Sequence, residues 1–169
     1  MINIDVSNLL VKEDTESSLR KAALYAFQHT EKKRENYNVN YHIETNAPAI
    51  EGSSAGASAA ILTIAALENK TMKSNVMMTG TVHHDGGIGP ADGIFPKAKA
   101  AEKANKTLFL VPETQSTKKN VTSKKYCAEY GGTELCSNEY TSKIIDVEEK
   151  TGIKVEEVEN IEQALDYFF

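Results

Sequence analysis

The sequence predicts an α/β (α+β) fold with a mixed sheet and flanking helices. Segments of helical periodicity alternate along the chain with short apolar or alternating runs that suit strands. Gly- and Pro-containing stretches punctuate the junctions. The 169 residues, 40% hydrophobic and 25% charged, are enough for one domain, 1–169, with a core that needs no disulfide or structural metal.

Residues 14–33 read as the first helix. Asp14 or Thr15 can cap it, Lys32, Lys33 and Arg34 close it, and Leu19, Ala22, Ala23, Ala26 and Phe27 form one apolar face. Val39, Tyr41 and Ile43 alternate with polar residues as in a strand, and residues 46–53 form a loop holding Pro48 and Gly52. The run SAGASAAILTIAALE, from Ser54 to Glu68, is apolar nearly all round and begins with small residues, which predicts a buried helix with a closely approached N-terminus. VMMTGTV at 76–82 reads as a strand and HHDGGIGPADG as a turn-rich connection. A helix at about 95–105 and a strand at 107–112 follow. Residues 113–140 are polar and read as an irregular excursion. A helix near 142–151, the strand IKVEEV and a helix opened by an Asn160/Gln163 capping box complete the chain.

The bulk numbers exclude several classes. A net charge of −5 argues against a nucleic-acid partner, and the one basic cluster, Lys118, Lys119, Lys124 and Lys125, reads as a solvated loop. No run approaches the length of a membrane-spanning helix, and the N-terminus lacks a signal-peptide pattern, which leaves the compartment unassigned. Homo-oligomerisation, or attachment to a membrane or partner through a segment outside this chain, stays open. Cys127 and Cys136 have neither C-x-x-C spacing nor a nearby His in zinc-ligand register. Two free thiols or one small-loop disulfide both fit them. No metal or cofactor is expected.

The chemistry concentrates at EGSSAGAS, residues 51–58. A Gly-Ser-Ser turn feeding a helix presents a hydroxyl at a bend and aims unpaired N–H groups of Gly52, Ser53, Ser54 and Ala55 at developing negative charge. The same layout serves a phosphate cradle, or a plain serine N-cap followed by small residues. A serine nucleophile needs a base. His83-His84-Asp85 is unsuited, because neighbours on a strand point to opposite faces, and reads as a strand end and turn. Lys97 opens a helix beside Ile94, Phe95 and Ala98, where burial and the helix dipole favour its neutral form.

EGSSAG resembles the DGPSAG serine motif of Lon proteases. MTGTVHHDGGIGPADGIFPKAKAAEKANKTLFLVP resembles the Lon stretch that runs from a Thr-Gly strand through a Gly-rich loop to the catalytic lysine, then to an apolar strand ending in Pro. Ser54 and Lys97 stand 43 residues apart, the family's register without gaps. The resemblance covers about 14–112 and a tail at 153–169, and is closest to archaeal Lon-like proteases that lack the ATPase module. It implies the Lon proteolytic-domain architecture, which is like that of ribosomal protein S5 domain 2. It also implies an ATP-independent serine endopeptidase acting on unfolded proteins or peptides, with Ser54 as nucleophile and Lys97 as base. Thr79 matches a threonine that orients the dyad, and Glu51 an acid that contacts the lysine in some members. Ser53 replaces a proline and is a rival hydroxyl, Ala91-Asp92-Gly93 replaces Val-Gly-Gly, and Lys99 faces away from Lys97. Two other classes fit parts of the sequence: a GHMP-type small-molecule kinase, which matches Pro48 to Ala55 only in part, and a non-catalytic Lon-fold domain that binds peptides or a partner.

Overall fold

The structure is a computed structural model that describes residues 2–5, 10–45 and 49–169. Pro48 lies outside the described residues. The chain runs through β1 (Ile2–Asp5), β2 (Leu10–Val11), α1 (Glu13–His29), β3 (Val39–His42), β4 (Ala49–Ile50), α2 (Gly56–Glu68), β5 (Val76–Met78) and β6 (Thr81–Val82). It continues through β7 (Ile88–Gly89), α3 (Ile94–Lys103), β8 (Leu108–Pro112), β9 (Thr117–Tyr130), β10 (Thr133–Asp146), α4 (Val147–Thr151), β11 (Lys154–Val158) and α5 (Ile161–Phe168). The class is α/β with both parallel and antiparallel pairing, as the alternation of patterns predicts. Among the described residues no helix is long and apolar enough to cross a membrane.

The organising element is β8. It lies between β5 and β11, parallel to both, with Leu110 opposite Met78 and Phe109 opposite Val155. A parallel strand covered on both faces must be apolar on both, which is why LFLVP shows no alternation. Leu110 joins the larger core with α1, α2 and α5. Phe109 and Val111 face the other way, against Ala98 and Ala101 of α3, Val147 and Ile153. Burying each of these three β8 side chains contributes about 1.5–3 kcal/mol. The helices thus form two layers around the sheet, α2 on one face and α3 on the other. Smaller parallel pairs, β1 with β3 and β2 with β4, and the antiparallel pair β6–β7 sit around this centre.

The contact between α1 and α2 is made by small residues. Ala22, Ala23 and Ala26 of α1 and Ala57, Ala59 and Ala60 of α2 are all buried in one cluster. Gly56 is part of the same closeness. A Cβ there would run into the Ser18 hydroxyl and come within 3.0 Å of a Val82 methyl and 3.2 Å of the Val82 backbone nitrogen. The helix is not buried all round: Leu62 is 54% exposed. At the C-terminus Asn160 caps α5 by accepting from the Gln163 N–H at 2.9 Å, while the Gln163 side chain accepts from the Glu159 N–H. The capping pair forms, with its return bond one residue earlier than expected.

The region 113–140 departs from expectation. It is not irregular but enters a long antiparallel ribbon, β9 against β10, turned at Gly131-Gly132 with both φ values positive as a tight hairpin turn requires. The ribbon continues through Asp146, so the helix expected at 142–151 shrinks to α4, capped by the Asp146 carboxylate. The reason is physical. The outer part of the ribbon is exposed on both faces, so neither face needs apolar residues and the period-two signal is missing. Cys127 and Cys136 lie directly opposite one another and form a disulfide rather than two free thiols.

Gly56→Ala is expected to lower stability by about 1–3 kcal/mol through overpacking against Ser18 and Val82. Urea unfolding of the two proteins measures it.

Candidate active site

The Ser54 turn is held by its carbonyls. The Gly52 carbonyl accepts from the Thr15 hydroxyl at 3.0 Å, and the Ser53 carbonyl from the Ser18 hydroxyl at 2.7 Å and the Gly56 N–H at 3.0 Å. The Ser54 carbonyl accepts from the Gly80 N–H at 2.9 Å and the Thr79 hydroxyl at 3.2 Å. Thr15 and Ser18 are buried on α1, so helix packing fixes both donors. With its carbonyls turned inward, the loop leaves the N–H groups of Ser53, Ser54 and Ala55 without a hydrogen-bond acceptor among the described residues. Gly52 is different: its N–H donates to the Asp14 carboxylate at 2.9 Å and is not free to serve an oxyanion. The helix begins at Gly56 with Ala55 as its N-cap residue and no side-chain cap, so Ser54 is not spent on capping.

Lys97 reaches Ser54 from the opposite side of the sheet. It lies in the first turn of α3, and its Nζ donates to Ser54 Oγ at 2.6 Å and to Thr79 Oγ1 at 3.1 Å. Thr79 is buried at the end of β5, and its N–H continues the parallel pairing by donating to the Leu110 carbonyl at 3.0 Å. One hydroxyl therefore touches both the lysine and the serine carbonyl. Burial pushes the Lys97 amine below the ordinary lysine value, and the Asp92 carboxylate opposes this more weakly. The amine's neutral, proton-accepting form is thereby brought within easier reach.

The structure brings Ser54, Lys97 and Thr79 together and leaves others apart. Glu51 lines the same cleft as Lys97 but pairs with Lys12, and it makes no hydrogen bond or ion pair to Lys97. The acid that acts on Lys97 is Asp92, within the same Ala-Asp-Gly stretch that departs from the family pattern. The Ser53 hydroxyl has no bond to Lys97. Lys99 is exposed, and His83 and His84 are exposed at a strand end and turn, as expected. Sequence reasoning missed Asp14, Thr15 and Ser18. Asp14 was expected as a helix cap, yet its carboxylate straps Gly52 and the Thr15 N–H. The i, i+3/i+4 spacing of three short polar side chains on the helix facing the serine loop was the available signal.

A cleft of about 470 Å³ opens over the serine, lined by Ser54, Lys97, Ser53, Asp14, Thr81 and Asp92 among others. The arrangement is that of a hydroxyl beside an amine with uncommitted N–H donors, which meets the requirements of acyl transfer. Among the described residues a set of His, Cys, Asp and Glu side chains close enough to share a metal occurs only at the disulfide-bonded Cys127 and Cys136 with Glu134, on the exposed ribbon.

Comparison with known proteins identifies the family. The profile of the Lon protease (S16) C-terminal proteolytic domain matches residues 10–128. Lon protease of Buchnera aphidicola is 33% identical over 78 residues, covering 46% of this chain and 10% of the relative. Archaeal Lon protease of Thermoplasma volcanium is 35% identical over 78 residues, 45% of this chain and 12% of the relative. Lon protease of Dictyoglomus thermophilum is 27% identical over 116 residues, 63% of this chain and 15% of the relative. The chain thus spans only about a tenth of these curated relatives' length. With the profile covering well over half of its residues and the serine cleft in the expected place, this chain belongs to the Lon protease (S16) family, as a C-terminal proteolytic domain.

Proposed function

We propose that residues 1–169 act as one proteolytic domain, an ATP-independent serine endopeptidase that cleaves unfolded proteins or peptides with a Ser54–Lys97 dyad. The observation that carries this reading is the 2.6 Å contact between Lys97 Nζ and Ser54 Oγ in a half-buried site that lowers the amine's pKa. Neutral Lys97 takes the Ser54 proton as Oγ attacks the substrate carbonyl. The carbonyl oxygen becomes an anion, and the free N–H groups of Ser53, Ser54 and Ala55 stand ready to receive it. Each such donor is worth about 3–4 kcal/mol of barrier. The Lys97 ammonium then gives its proton to the leaving amine as the C–N bond breaks, leaving an acyl-Ser54. Neutral Lys97 next takes a proton from water, the hydroxyl attacks the acyl carbon, and Ser54 leaves with the proton. Thr79 holds the amine on this line throughout. None of these steps uses a nucleotide.

Casein cleavage by the purified chain without ATP tests the reading. Ser54→Ala and Lys97→Ala are each expected to abolish it, while Lys99→Ala, altered at an exposed site, keeps it. Cleavage that persists in either of the first two variants would remove the dyad.

The pH dependence follows from the direction of the Lys97 shift. Activity should rise with pH as Lys97 loses its proton, with the midpoint below the ordinary lysine value of 10.5. Because Asp92 favours the ammonium, Asp92→Asn should move that midpoint lower still and raise activity on its acid side. A kcat/KM profile of both proteins measures this, and a midpoint moved upward by Asp92→Asn contradicts it.

A further inference from the structure

A second cleft, of about 350 Å³, lies beside the serine cleft and shares the Ala91–Asp92 wall with it. Its volume suits a large side chain together with part of its neighbour. The lining is largely apolar: Ile94 and Phe95 from the first turn of α3, Ile145 from the end of β10 and Val147 from the start of α4. Phe95 keeps 38% of its surface exposed there. An aromatic ring left uncovered on the wall of a cleft, two residues from the lysine that touches Ser54, is contact surface for an apolar group.

The rim carries one sign of charge in excess. Lys118 lies directly opposite Ile145 across the ribbon, so both project from the same face and both reach the cleft. Lys150, on α4 just after Val147, reaches it from the other side. No carboxylate among the described residues forms an ion pair with either lysine. Asp92 is the acid on this lining, and its charge also acts on Lys97. The first-turn N–H groups of α3 add positive potential at the same place.

The wall between the clefts is fixed. The Gln115 side chain accepts from the Ala91 N–H at 2.9 Å and donates to the Ala91 carbonyl at 3.0 Å, as a neighbouring strand would. Gln115 stands just before β9, so the foot of the ribbon and the loop leading to Lys97 hold one another. A binding surface set in advance loses little to ordering when a substrate enters.

We propose that this second cleft is a specificity subsite, resting on the proteolytic reading of the first, that selects substrate segments in which a large apolar side chain is flanked by Asp or Glu. The ribbon then has a role in the reaction: its foot supplies Lys118 and Ile145 to the substrate.

Labelled unfolded peptides that differ only at a central triplet test it, first by fluorescence anisotropy on the Ser54→Ala protein and then by turnover with the parent. At low salt the Glu-Leu-Glu peptide is expected to bind about fivefold to tenfold tighter than the Lys-Leu-Lys peptide, two exposed charge pairs being the source. In 0.5 M salt, or after Lys118→Gln with Lys150→Gln, the ratio should fall within about twofold. Glu-Ser-Glu should bind about tenfold more weakly than Glu-Leu-Glu, since it lacks the apolar side chain. Equal affinity for the two charged peptides, a preference that survives the double substitution, or no binding of any peptide overturns the subsite. The two readings fail separately. Parent and Ser54→Ala cleaving alike removes the dyad, while the binding ratios still decide the subsite. Cleavage lost in Ser54→Ala beside a flat binding ratio removes the subsite alone.

Discussion

The Thr79-Gly80 corner at the end of β5 is the constraint on which the site depends. Ser54 arrives on the turn before α2 and Lys97 on α3, from opposite faces of a sheet, and they meet only at the tips of their side chains. Thr79 and Gly80 lie between them. The Thr79 hydroxyl meets Lys97 and the Ser54 carbonyl, the Gly80 N–H holds that carbonyl too, and the Gly80 carbonyl accepts from Ala57 at 3.0 Å in the first turn of α2. The corner is in turn anchored to β8 by the Thr79–Leu110 bond. Gly80 has φ +151°, and a Cβ there would lie 2.6 Å from an Ile88 methyl, so the residue type is dictated by the crowding. The Ser54–Lys97 pair is therefore positioned by the sheet, at the carboxyl edge of its parallel strands, where open α/β sheets leave room for ligands.

The same economy shapes the serine turn. A loop partly withdrawn from water satisfies its carbonyls or loses stability, and here α1 and the β5 corner satisfy all three from Gly52 to Ser54. The N–H groups of Ser53, Ser54 and Ala55, without an acceptor among the described residues, are the ones the proposed mechanism assigns to the oxyanion. Lys97 shows the corresponding trade-off in charge. Desolvation that disfavours its ammonium is unhelpful to a structural lysine and necessary to a base.

Much of this was legible in the sequence, for reasons that can be named. Ser54 and Lys97 were found through two local motifs at a fixed separation, each tied to a turn or helix start. Thr79 came with the same strand, and β8 announced itself by an unbroken apolar run. The ribbon was not legible, because a two-stranded element largely exposed on both faces carries no amphipathic pattern. The disulfide was undecided for the same reason, since its pairing depends on the ribbon's register. Asp14 was read as a cap, and the pairing of Glu51 with Lys12 was not foreseen, because both depend on where the loop turns. Asp14 and Ser18 are 38 and 35 residues from the backbone groups they hold. The spacing of the short polar side chains marks one face of α1, but no local pattern names the distant backbone groups that this face holds.

The protonation state of Lys97 is the claim on which the chemistry turns. Titration of its side-chain nitrogen by NMR, with the lysines isotope-labelled and Lys97 assigned by comparison with Lys97→Arg, measures it directly. A midpoint below the ordinary value of 10.5 is expected, with a further drop in Asp92→Asn. A midpoint at or above that value would mean an ammonium stands beside Ser54, unable to take its proton.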